Sequence, residues 1–496
     1  MHNIQSISQD LVYVGVSDRR TALFENVYPI PRGVSYNSYV LLDEKTALLD
    51  TADLTVSEQF FENVGAALDG RQLDYLIVNH MEPDHGALIA PLLLHYPQAT
   101  VVCTAKAAQM MEQFFGSKPA QLMMVKEGDT LSLGRHNLVF TMAPMVHWPE
   151  VMMTYDQTDK VLFSADAFGT FGALSGNLYA DEVNFEGEWL NDARRYFVNI
   201  VGKYGQPVQT VLKKAASLDI KMICPLHGPV WRENIGYFIE KHDLWSRYEP
   251  EEKGVVIIYG SIYGHTESAA LRMGTLLAQR GVKNIKAYDA SRTHTSKLVA
   301  ECWRASHIVL AASTYNNGIF TPVEELLHDL KAHCFQNRTW ALIENGSWAP
   351  QSGKLMRAMV EEMKDMTVLG DTFTLKSAMQ PSQESDLAEL ADLIVANLKF
   401  ELDYGKTQQR RHHQDRLRTL CAHCPRGRQR QRLHLQRGGA THVVADADDD
   451  CGQQEESDAR HDTAHGPFQR LLPHRACPYE GDSAFRIPEW PRRQQV

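Results

Sequence analysis

The segment His80-Met-Glu-Pro-Asp-His85 places two imidazoles and two carboxylates within six positions, one residue after the apolar run "DYLIV". In an extended segment side chains alternate, which puts His80, Glu82 and Asp84 on one side, and a local turn must bring His85 round. Pro83 stiffens that path. Adjacent ionisable groups are costly to bury without a counter-charge, which a dication would supply. Imidazole and carboxylate ligands without thiolate suit iron, manganese or zinc.

Three further candidate ligands stand where an apolar run stops beside Gly, Pro or Trp. They are His147 in "APMVHWPEVM", Asp166 in "LFSADAFG" and His227 in "CPLHGPVW". For one isolated His or Asp a solvated loop is the ordinary interpretation, but loops on a rigid scaffold commonly carry functional residues. Seven ligands are too many for one tetrahedral zinc. The sequence therefore predicts two metals that share a bridging carboxylate.

A second candidate site begins with "VVIIYGSIYGHTESAALRMGTLL", which predicts a strand, a short loop and a helix. Thr266 is a candidate N-cap, and free backbone N–H groups at a helix start bind phosphate without a cationic side chain. The loop lacks the Lys of a Walker motif, which favours an FMN loop, although an ordinary structural turn is an equal alternative for this loop alone. The candidate residues are Ser261, Tyr263, Gly264, His265, Thr266 and Glu267.

Two more loops follow predicted strands, "STYNNGIFTP" and "ENGSWAPQSGK". In a doubly wound sheet, ligands bind at the carboxyl ends of the strands. Tyr315 and Trp348 offer ring faces to an isoalloxazine, and the Asn and Gly residues offer hydrogen bonds. The three loops together predict an FMN site. Its further candidate residues are Ser313, Thr314, Tyr315, Asn316, Asn317, Gly318, Asn345, Gly346, Ser347 and Trp348.

The elements that must position these residues differ along the chain. At 496 residues and 44% hydrophobic content, the chain is long enough for about three domains of roughly 150 residues. In residues 1–250, short apolar runs alternate with turn signals and predict a sheet-rich α/β domain. The charged segment 247–254 predicts a linker. Residues 251–403 repeat strand, loop and helix, with a closing helix near 385–400, which predicts a doubly wound parallel sheet.

Net charge and composition limit the classes of partner that the chain is expected to bind. The net charge of −11 argues against a nucleic-acid partner. The N-terminus has no signal-peptide pattern, and no run approaches the roughly 18 apolar residues of a membrane span, so we predict a cytoplasmic protein without a membrane partner. Cys103, Cys224, Cys302 and Cys334 are scattered singly, which predicts reduced thiols rather than a disulfide framework.

The metal-site motif, with the later His, Asp and His, resembles the metallo-β-lactamase fold. Hydrolases of that fold have His at the position of Glu82 and usually hold zinc, whereas flavodiiron proteins have Glu there. The three loops resemble the flavodoxin-like half of flavodiiron proteins. The whole resemblance covers about residues 1–403. It implies an αββα sandwich, as in metallo-β-lactamases, followed by a flavodoxin-like doubly wound parallel sheet.

The same resemblance implies which residue holds which metal. His80, Glu82 and His147 would hold one iron, Asp166 would bridge, and the other iron would have Asp84, His85 and His227. In some members of the family the histidine that matches His85 is turned away from the metal.

The resemblance also implies an FMN-dependent reductase with two irons per chain. It would convert dioxygen to water, nitric oxide to nitrous oxide, or both. Its electrons would come from a protein donor of the rubredoxin or flavin reductase type, and a head-to-tail homodimer or a tetramer would bring the flavin of one subunit to the metals of the next. A hydrolase with a regulatory flavodoxin module is the main alternative, against which Glu82 argues. An electron carrier or flavin sensor with an inactive metal site is a third, against which the complete ligand set argues.

Residues 404–496 differ in kind. From residue 407 onward there are 15 Arg and eight His but no Lys, Asn or Met. An Arg-rich disordered tail is one interpretation. A frameshift just after Lys406 is the other, because 453–466 and 478–493 have permitted back-translations that, shifted by one base, resemble a flavin reductase domain. The CAHC at 421–424 lacks the second Cys-x-x-Cys of a rubredoxin, so we interpret it as accidental, with a zinc site as the alternative.

Overall fold

The computed structural model describes residues 1–399. The predictions for the tail, including the frameshift and the CAHC cysteines, lie outside the described residues. None of the helices in the described part is both long and apolar enough to cross a membrane.

The first half of the described chain consists mainly of strands. Residues 1–224 contain β1 (Gln5–Ser6), β2 (Leu11–Tyr13), β3 (Val16–Asp18), β4 (Leu23–Phe24), β5 (Tyr28–Pro29), β6 (Val34–Tyr36), β7 (Tyr39–Leu42), β8 (Thr46–Leu49), β9 (Tyr75–Ile77), β10 (Thr100–Thr104), β11 (Leu122–Val125), β12 (Thr130–Ser132), β13 (Asn137–Met142), β14 (Met152–Asp156), β15 (Val161–Phe163) and β16 (Met222–Cys224). One sheet has the order β1-β2-β7-β8-β9-β10-β11 and another the order β12-β13-β14-β15-β16. The strands of both sheets are largely buried because their apolar residues meet in a common core.

Seven α-helices, with several short 3-10 and π turns, accompany these sheets in the described chain. They are α1 (Ser57–Leu68), α2 (Pro83–Gly86), α3 (Ile89–His95), α4 (Ala105–Phe115), α5 (Leu190–Tyr196), α6 (Gly205–Ala215) and α7 (Ile235–Ser246). Helix α4 shows why they form where they do: the hydroxyl of Thr104 accepts a hydrogen bond from the backbone N–H of Ala107, and Gly116 ends the helix in the left-handed region. Its buried residues recur on one face, which packs against the core.

The second half is one sheet with helices between its strands, parallel except for the short strand Gly318–Ile319, which pairs antiparallel with the strand before it. Its elements are β17 (Glu252–Gly260), α8 (His265–Gln279), β18 (Lys286–Asp289), α9 (Thr295–Arg304), β19 (Ala305–Tyr315), β20 (Gly318–Ile319), α10 (Thr321–Ala332), β21 (Arg338–Asn345), α11 (Ser352–Glu361), β22 (Met366–Val368), β23 (Phe373–Leu375) and α12 (384–399). The main order is β18-β17-β19-β21-β22, and β23 also pairs with β21. This is the 2-1-3-4-5 order of a flavodoxin-like sheet, and its switch point lies between β17 and β19.

The predicted charged linker at 247–254 is partly wrong, because β17 already begins at Glu252. The charges of this segment are paired rather than solvated. Glu251 accepts a hydrogen bond from buried Arg194 at 2.6 Å, and Glu252 forms an ion pair with Arg304 at 2.7 Å. The predicted domain boundary at 250/251 stays a prediction, although the sheets themselves end at Cys224 and begin again at Glu252.

Candidate functional site

The first group of predicted ligands surrounds one oxygen of Asp166. The Nε2 atom of His80 lies 3.3 Å and that of His147 lies 3.2 Å from Asp166 Oδ2. The same two nitrogens lie 3.2 and 3.0 Å from Glu82 Oε2. All four side chains are buried. Their ligand atoms are close enough together to hold one metal ion.

The second group surrounds the other oxygen of Asp166. The Nε2 atoms of His85 and His227 lie 3.4 and 3.6 Å from Asp166 Oδ1 and only 3.0 Å from each other. Both lie within 3.3 Å of Asp84 Oδ2. His85 thus faces the site instead of turning away, and the two oxygens of Asp166 divide between the two groups.

The expected alternation of side chains is wrong for Asp84. Helix α2 begins at Pro83, so the chain is extended only as far as Glu82. Proline at the first helical position favours this start, since its fixed φ suits a helix and its missing N–H is not needed there. The short helix carries Asp84 and His85 to the second group, whereas His80 and Glu82 belong to the first.

The donor set suits two divalent cations. Both oxygens of Asp84 and of Asp166 are buried and have no hydrogen-bond partner among the described residues. Burial raises the pKa of Asp166, but His80 and His147 outweigh burial and hold it well below its usual range. Burial would lower the pKa of His147, but Asp166 and Glu82 raise it to about 9. The buried carboxylates therefore need positive charge beside them. Protons on the imidazoles can supply it, and bound divalent metal ions would supply more of it.

Backbone and side-chain acceptors orient the imidazoles. His80 donates from Nδ1 to Glu150 Oε1 at 2.8 Å, and the N–H of Met81 donates to the same oxygen at 2.9 Å. His227 donates from Nδ1 to the carbonyl of Ser35 at 2.7 Å. These bonds assign the proton to Nδ1 and leave Nε2 as the ligand atom.

Sequence reasoning missed two carboxylates that support the site. One is Glu150, three residues after His147. The other is Asp50, which accepts from the backbone N–H of Asn79 and of His80 at 2.7 and 3.1 Å. Burial raises the pKa of Asp50 to about 6. The position of Asp50, at the end of the apolar run "TALLD", is the kind of signal that located the ligands and could have found it.

The turn that carries Asp166 is also held in place. Ala165 and Phe168 adopt positive φ angles of 51° and 66°, which are unfavourable for residues with a side chain. The N–H of Phe168 donates to Nε2 of His242 at 3.2 Å, and His242 donates from Nδ1 to Phe238 O at 3.0 Å. Burial lowers the pKa of His242 to about 3, so the ring is neutral and can accept.

A solvent-facing pocket, the front pocket, leads to the ligands. Its volume is about 460 Å³, and its wall includes Glu25, Asp53, Glu82, Asp84 and Trp148. Water and small polar species can therefore reach the side of the site that Glu82 and Asp84 occupy.

Another cluster, Asp10, His136 and Asp159, has the spacing of a metal site. Arg135 already forms ion pairs with Asp10 and Asp159 at 2.9 and 2.5 Å. His136 lies between Asp10 and Asp156, with its ring nitrogens 2.9 and 2.8 Å from their carboxylates. Burial would lower the pKa of His136, but Asp156 and Asp10 raise it to about 9. This cluster is therefore an ion-pair network whose cations are Arg135 and His136.

The three predicted flavin loops meet in one pocket of about 460 Å³, a size typical of small-molecule sites. Thirteen predicted residues line it: Ser261, Tyr263, His265, Thr266, Ser313, Thr314, Tyr315, Asn316, Asn317, Asn345, Gly346, Ser347 and Trp348. Thr266 and Ser313 are bonded through their hydroxyls at 2.8 Å, and Asn345 donates to the Thr266 hydroxyl at 3.2 Å. These contacts link all three loops.

Other predicted residues lie beside the pocket. Gly264, Glu267 and Gly318 are absent from its described wall. Gly264, with φ 91°, is the N-cap of α8, so the prediction of Thr266 as N-cap is wrong, and Thr266 is the second helical residue. Glu267 accepts a hydrogen bond from the hydroxyl of Tyr259 at 3.1 Å. The wall also includes Ile262, Ala349 and Ser377, which sequence reasoning missed.

Comparison with known proteins gives consistent results. A family model described as "ODP family beta lactamase" matches residues 34–228. An uncharacterised protein of Methanocaldococcus jannaschii is 32% identical over 326 residues, which are 65% of this chain and 81% of that protein. The anaerobic nitric oxide reductase flavorubredoxin of Klebsiella pneumoniae is 30% identical over 349 residues, 69% of this chain and 72% of that protein.

Solved structures agree with these matches. The rubredoxin oxygen:oxidoreductase of Desulfovibrio gigas aligns with a TM-score of 0.76 and 26% identity, covering 81% of this chain and all of that one. The flavodiiron protein of Giardia intestinalis aligns with a TM-score of 0.75 and 24% identity, covering 80% of this chain and 98% of that one, which shows a shared fold. The predicted fold class is confirmed: a metallo-β-lactamase-like part is followed by a flavodoxin-like sheet.

Proposed function

Since this chain belongs to the flavodiiron protein family, we propose that it reduces dioxygen to water, nitric oxide to nitrous oxide, or both, with electrons from a protein donor. The chain is an oxidoreductase, and its cofactors are FMN and a diiron centre. The observation that carries the proposal is the pair of ligand groups around the two oxygens of Asp166.

In the proposed assignment, Asp166 would be shared by two irons. His80, Glu82 and His147 would hold one iron, and Asp84, His85 and His227 would hold the other. The geometry supports a site for two metals. Each of the two ligand groups contains only carboxylate oxygens and imidazole nitrogens, and these atoms lie close enough together to bind one ion. The anionic Glu82 favours iron over zinc in the first group.

Ferrous ions held by these residues would supply Lewis-acid chemistry and electrons to a diatomic substrate, and FMN would supply electrons singly. The residues of the chain keep this chemistry in place. Glu150 and Ser35 hold His80 and His227 in the tautomer that points Nε2 at the metals. The front pocket gives protons and water a path to Glu82 and Asp84.

We propose that the flavin occupies the pocket formed by the three loops. Free N–H groups at the start of α8 suit its phosphate, and Tyr315 and Trp348 suit its ring. Tyr263 and Trp348 at this pocket are each 91% exposed. Exposed aromatic side chains of this kind are typical of surfaces that bind another protein. They support the proposed head-to-tail homodimer or tetramer. They also support docking of an electron donor of the rubredoxin or flavin reductase type. A cytoplasmic location stays a prediction.

The decisive experiment is anaerobic stopped-flow on protein whose iron and flavin have been quantified. The protein is reduced chemically and mixed with dioxygen or nitric oxide in separate runs. We expect two irons and one FMN per chain and rapid flavin reoxidation by at least one gas, which also ranks the substrates.

Asp166→Asn tests the bridge in the same assay, with Asp181→Asn as a control on an exposed residue that pairs with Arg232. The first variant should lose rapid reoxidation and the second should keep it. Slow reoxidation by both gases in the unaltered protein, together with bound zinc, would refute the proposal.

The match to the ODP beta lactamase model favours one second candidate, a hydrolase with a regulatory flavodoxin module. Zinc in place of iron, with cleavage of thioesters or esters, would support it.

A further inference from the structure

A fourth segment of the chain reaches the flavin pocket beside the three predicted loops. Strand β23 pairs in parallel with β21, with Leu375 opposite Asn345, so the residues that follow the two strands leave the sheet side by side. Ser377 lies two residues beyond the end of β23 and forms part of the pocket wall. We call residues 376–378 the fourth loop.

The fourth loop is a tight three-residue turn. The N–H of Ala378 donates to the carbonyl of Lys376 at 3.1 Å, and Ser377 between them has a φ of 72°. This bond and this angle define a γ-turn with a positive central φ, which is the rare and strained form. Strained turns persist only where their surroundings hold them, and they are concentrated at functional sites.

The side chain of Asn345 holds this turn from both sides. Its oxygen accepts from the N–H of Ser377 at 3.1 Å, and its nitrogen donates to the carbonyl of Ser377 at 2.8 Å. The same nitrogen donates to the hydroxyl of Thr266 at 3.2 Å, in the first turn of α8. Because the N–H and the carbonyl of Ser377 are both bonded to Asn345, the hydroxyl is the polar group that this residue can offer to a ligand.

The hydroxyl of Ser377 belongs to a polar part of the pocket wall. It donates to Ser347 Oγ at 2.9 Å, and a hydroxyl that donates one bond can still accept. Nearby, the hydroxyls of Thr266 and Ser313 are bonded at 2.8 Å. This part of the wall therefore offers both donors and acceptors, whereas Trp348 offers the face of a ring.

We propose that Ser377 binds the ribityl chain of the flavin through its hydroxyl group. This inference rests on the FMN site of the proposed function. In that site the phosphate meets the free N–H groups at the start of α8, and the ring meets Tyr315 and Trp348. The ribityl chain joins these two ends, and its hydroxyls need partners that can donate and accept. The γ-turn fixes Ser377 in advance, so little conformational freedom is lost when the flavin binds.

Flavins with and without the ribityl chain test this role. FMN contains the chain, whereas lumiflavin consists of the ring alone. FMN is removed from the full-length, iron-loaded protein, and each flavin is titrated back while its fluorescence is followed. Ser377→Ala should raise the Kd for FMN about threefold to tenfold, since one hydrogen bond is lost, and leave the Kd for lumiflavin unchanged. An unchanged Kd for FMN, or an equal rise for lumiflavin, overturns the proposal.

Two further variants separate the hydroxyl from the backbone. Ser377→Gly also lacks the hydroxyl, but glycine adopts a positive φ without strain. It should weaken FMN binding at least as much as Ser377→Ala does, because the missing group is the same. Ser385→Ala removes the hydroxyl of an exposed serine that bonds to Asp386 at 3.3 Å, and it should match the unaltered protein. Weaker FMN binding in Ser377→Ala but not in Ser377→Gly overturns the proposal, since the cause would then be the backbone.

Failure of this inference and failure of the proposed function give different results. An unaltered protein that does not bind FMN refutes the proposed flavin site. If the unaltered protein and Ser377→Ala bind FMN with the same Kd, the role of Ser377 is overturned and the proposed function stands.

Discussion

At the scale of single residues, Glu150 decides which nitrogen of His80 faces the metal site. Its Oε1 atom accepts from both His80 and the backbone of Met81. Without this acceptor the imidazole is free to place its proton on Nε2, which cannot then bind a metal. The negative charge of Glu150 also raises the basicity of the ring.

Glu150→Gln should therefore weaken iron binding about tenfold, because it keeps an acceptor of similar shape but removes the charge. The measurement is iron per chain against a competing chelator. Glu127→Gln is the matched control, since Glu127 pairs with Lys214 at the surface. Equal iron affinity in both variants would contradict this role of Glu150.

At the scale of elements, helix α7 supports the turn that carries Asp166. The turn has two unfavourable positive φ angles, at Ala165 and Phe168, and His242 of α7 accepts from the N–H of Phe168. An unfavourable turn persists only where its surroundings hold it. We infer that α7 sets the position of the bridging carboxylate through this bond.

His242→Leu should lower the free energy of unfolding by about 1–3 kcal/mol, since it leaves the buried N–H of Phe168 unpaired. It should also alter the magnetic coupling between the two irons, because Asp166 shifts. Chemical denaturation measures the first effect and Mössbauer or electron paramagnetic resonance spectroscopy the second. His328→Leu, on the exposed side of α10, is the control. Unaltered coupling in a destabilised His242→Leu protein would show that His242 is only structural.

At the scale of the whole molecule, one of the two apolar clusters of the described chain extends through both halves, whereas the other lies within the flavodoxin-like half. Trp303 of α9 donates from its indole nitrogen to the carbonyl of Trp245 in α7 at 3.1 Å. Arg338 of β21 donates to the carbonyls of Tyr248 and Trp303 at 2.6 and 2.7 Å. The flavodoxin-like half thus packs on the helix that supports Asp166.

The sequence predicted those parts of this arrangement that depend on local patterns. Strands β17 and β19 are continuous apolar runs because both of their faces are buried. The ligands were identifiable because several ionisable residues follow such runs. The helical position of Asp84, the pairing of Glu251 with Arg194 and the bond from Phe168 to His242 depend on contacts between distant segments. Periodicity and spacing within one sequence contain no information about such contacts.

The source of the electrons is a property of the whole chain and depends on the tail after Lys406. If the tail after Lys406 is out of frame, the chain has lost a flavin reductase domain. The purified chain should then oxidise neither NADH nor NADPH at a useful rate in the presence of dioxygen or nitric oxide. Added rubredoxin and its NADH-dependent reductase should restore gas reduction, because the proposed flavin pocket is open to a protein donor. Spectrophotometric NADH oxidation measures both results.

A gene shifted by one base after the codon for Lys406 is the matching positive control. Its product should oxidise NADH without any added donor, if the shifted frame encodes the reductase domain. Rapid NADH oxidation by the unaltered 496-residue chain alone would refute the frameshift hypothesis, since it would show that the chain already accepts hydride from the nucleotide.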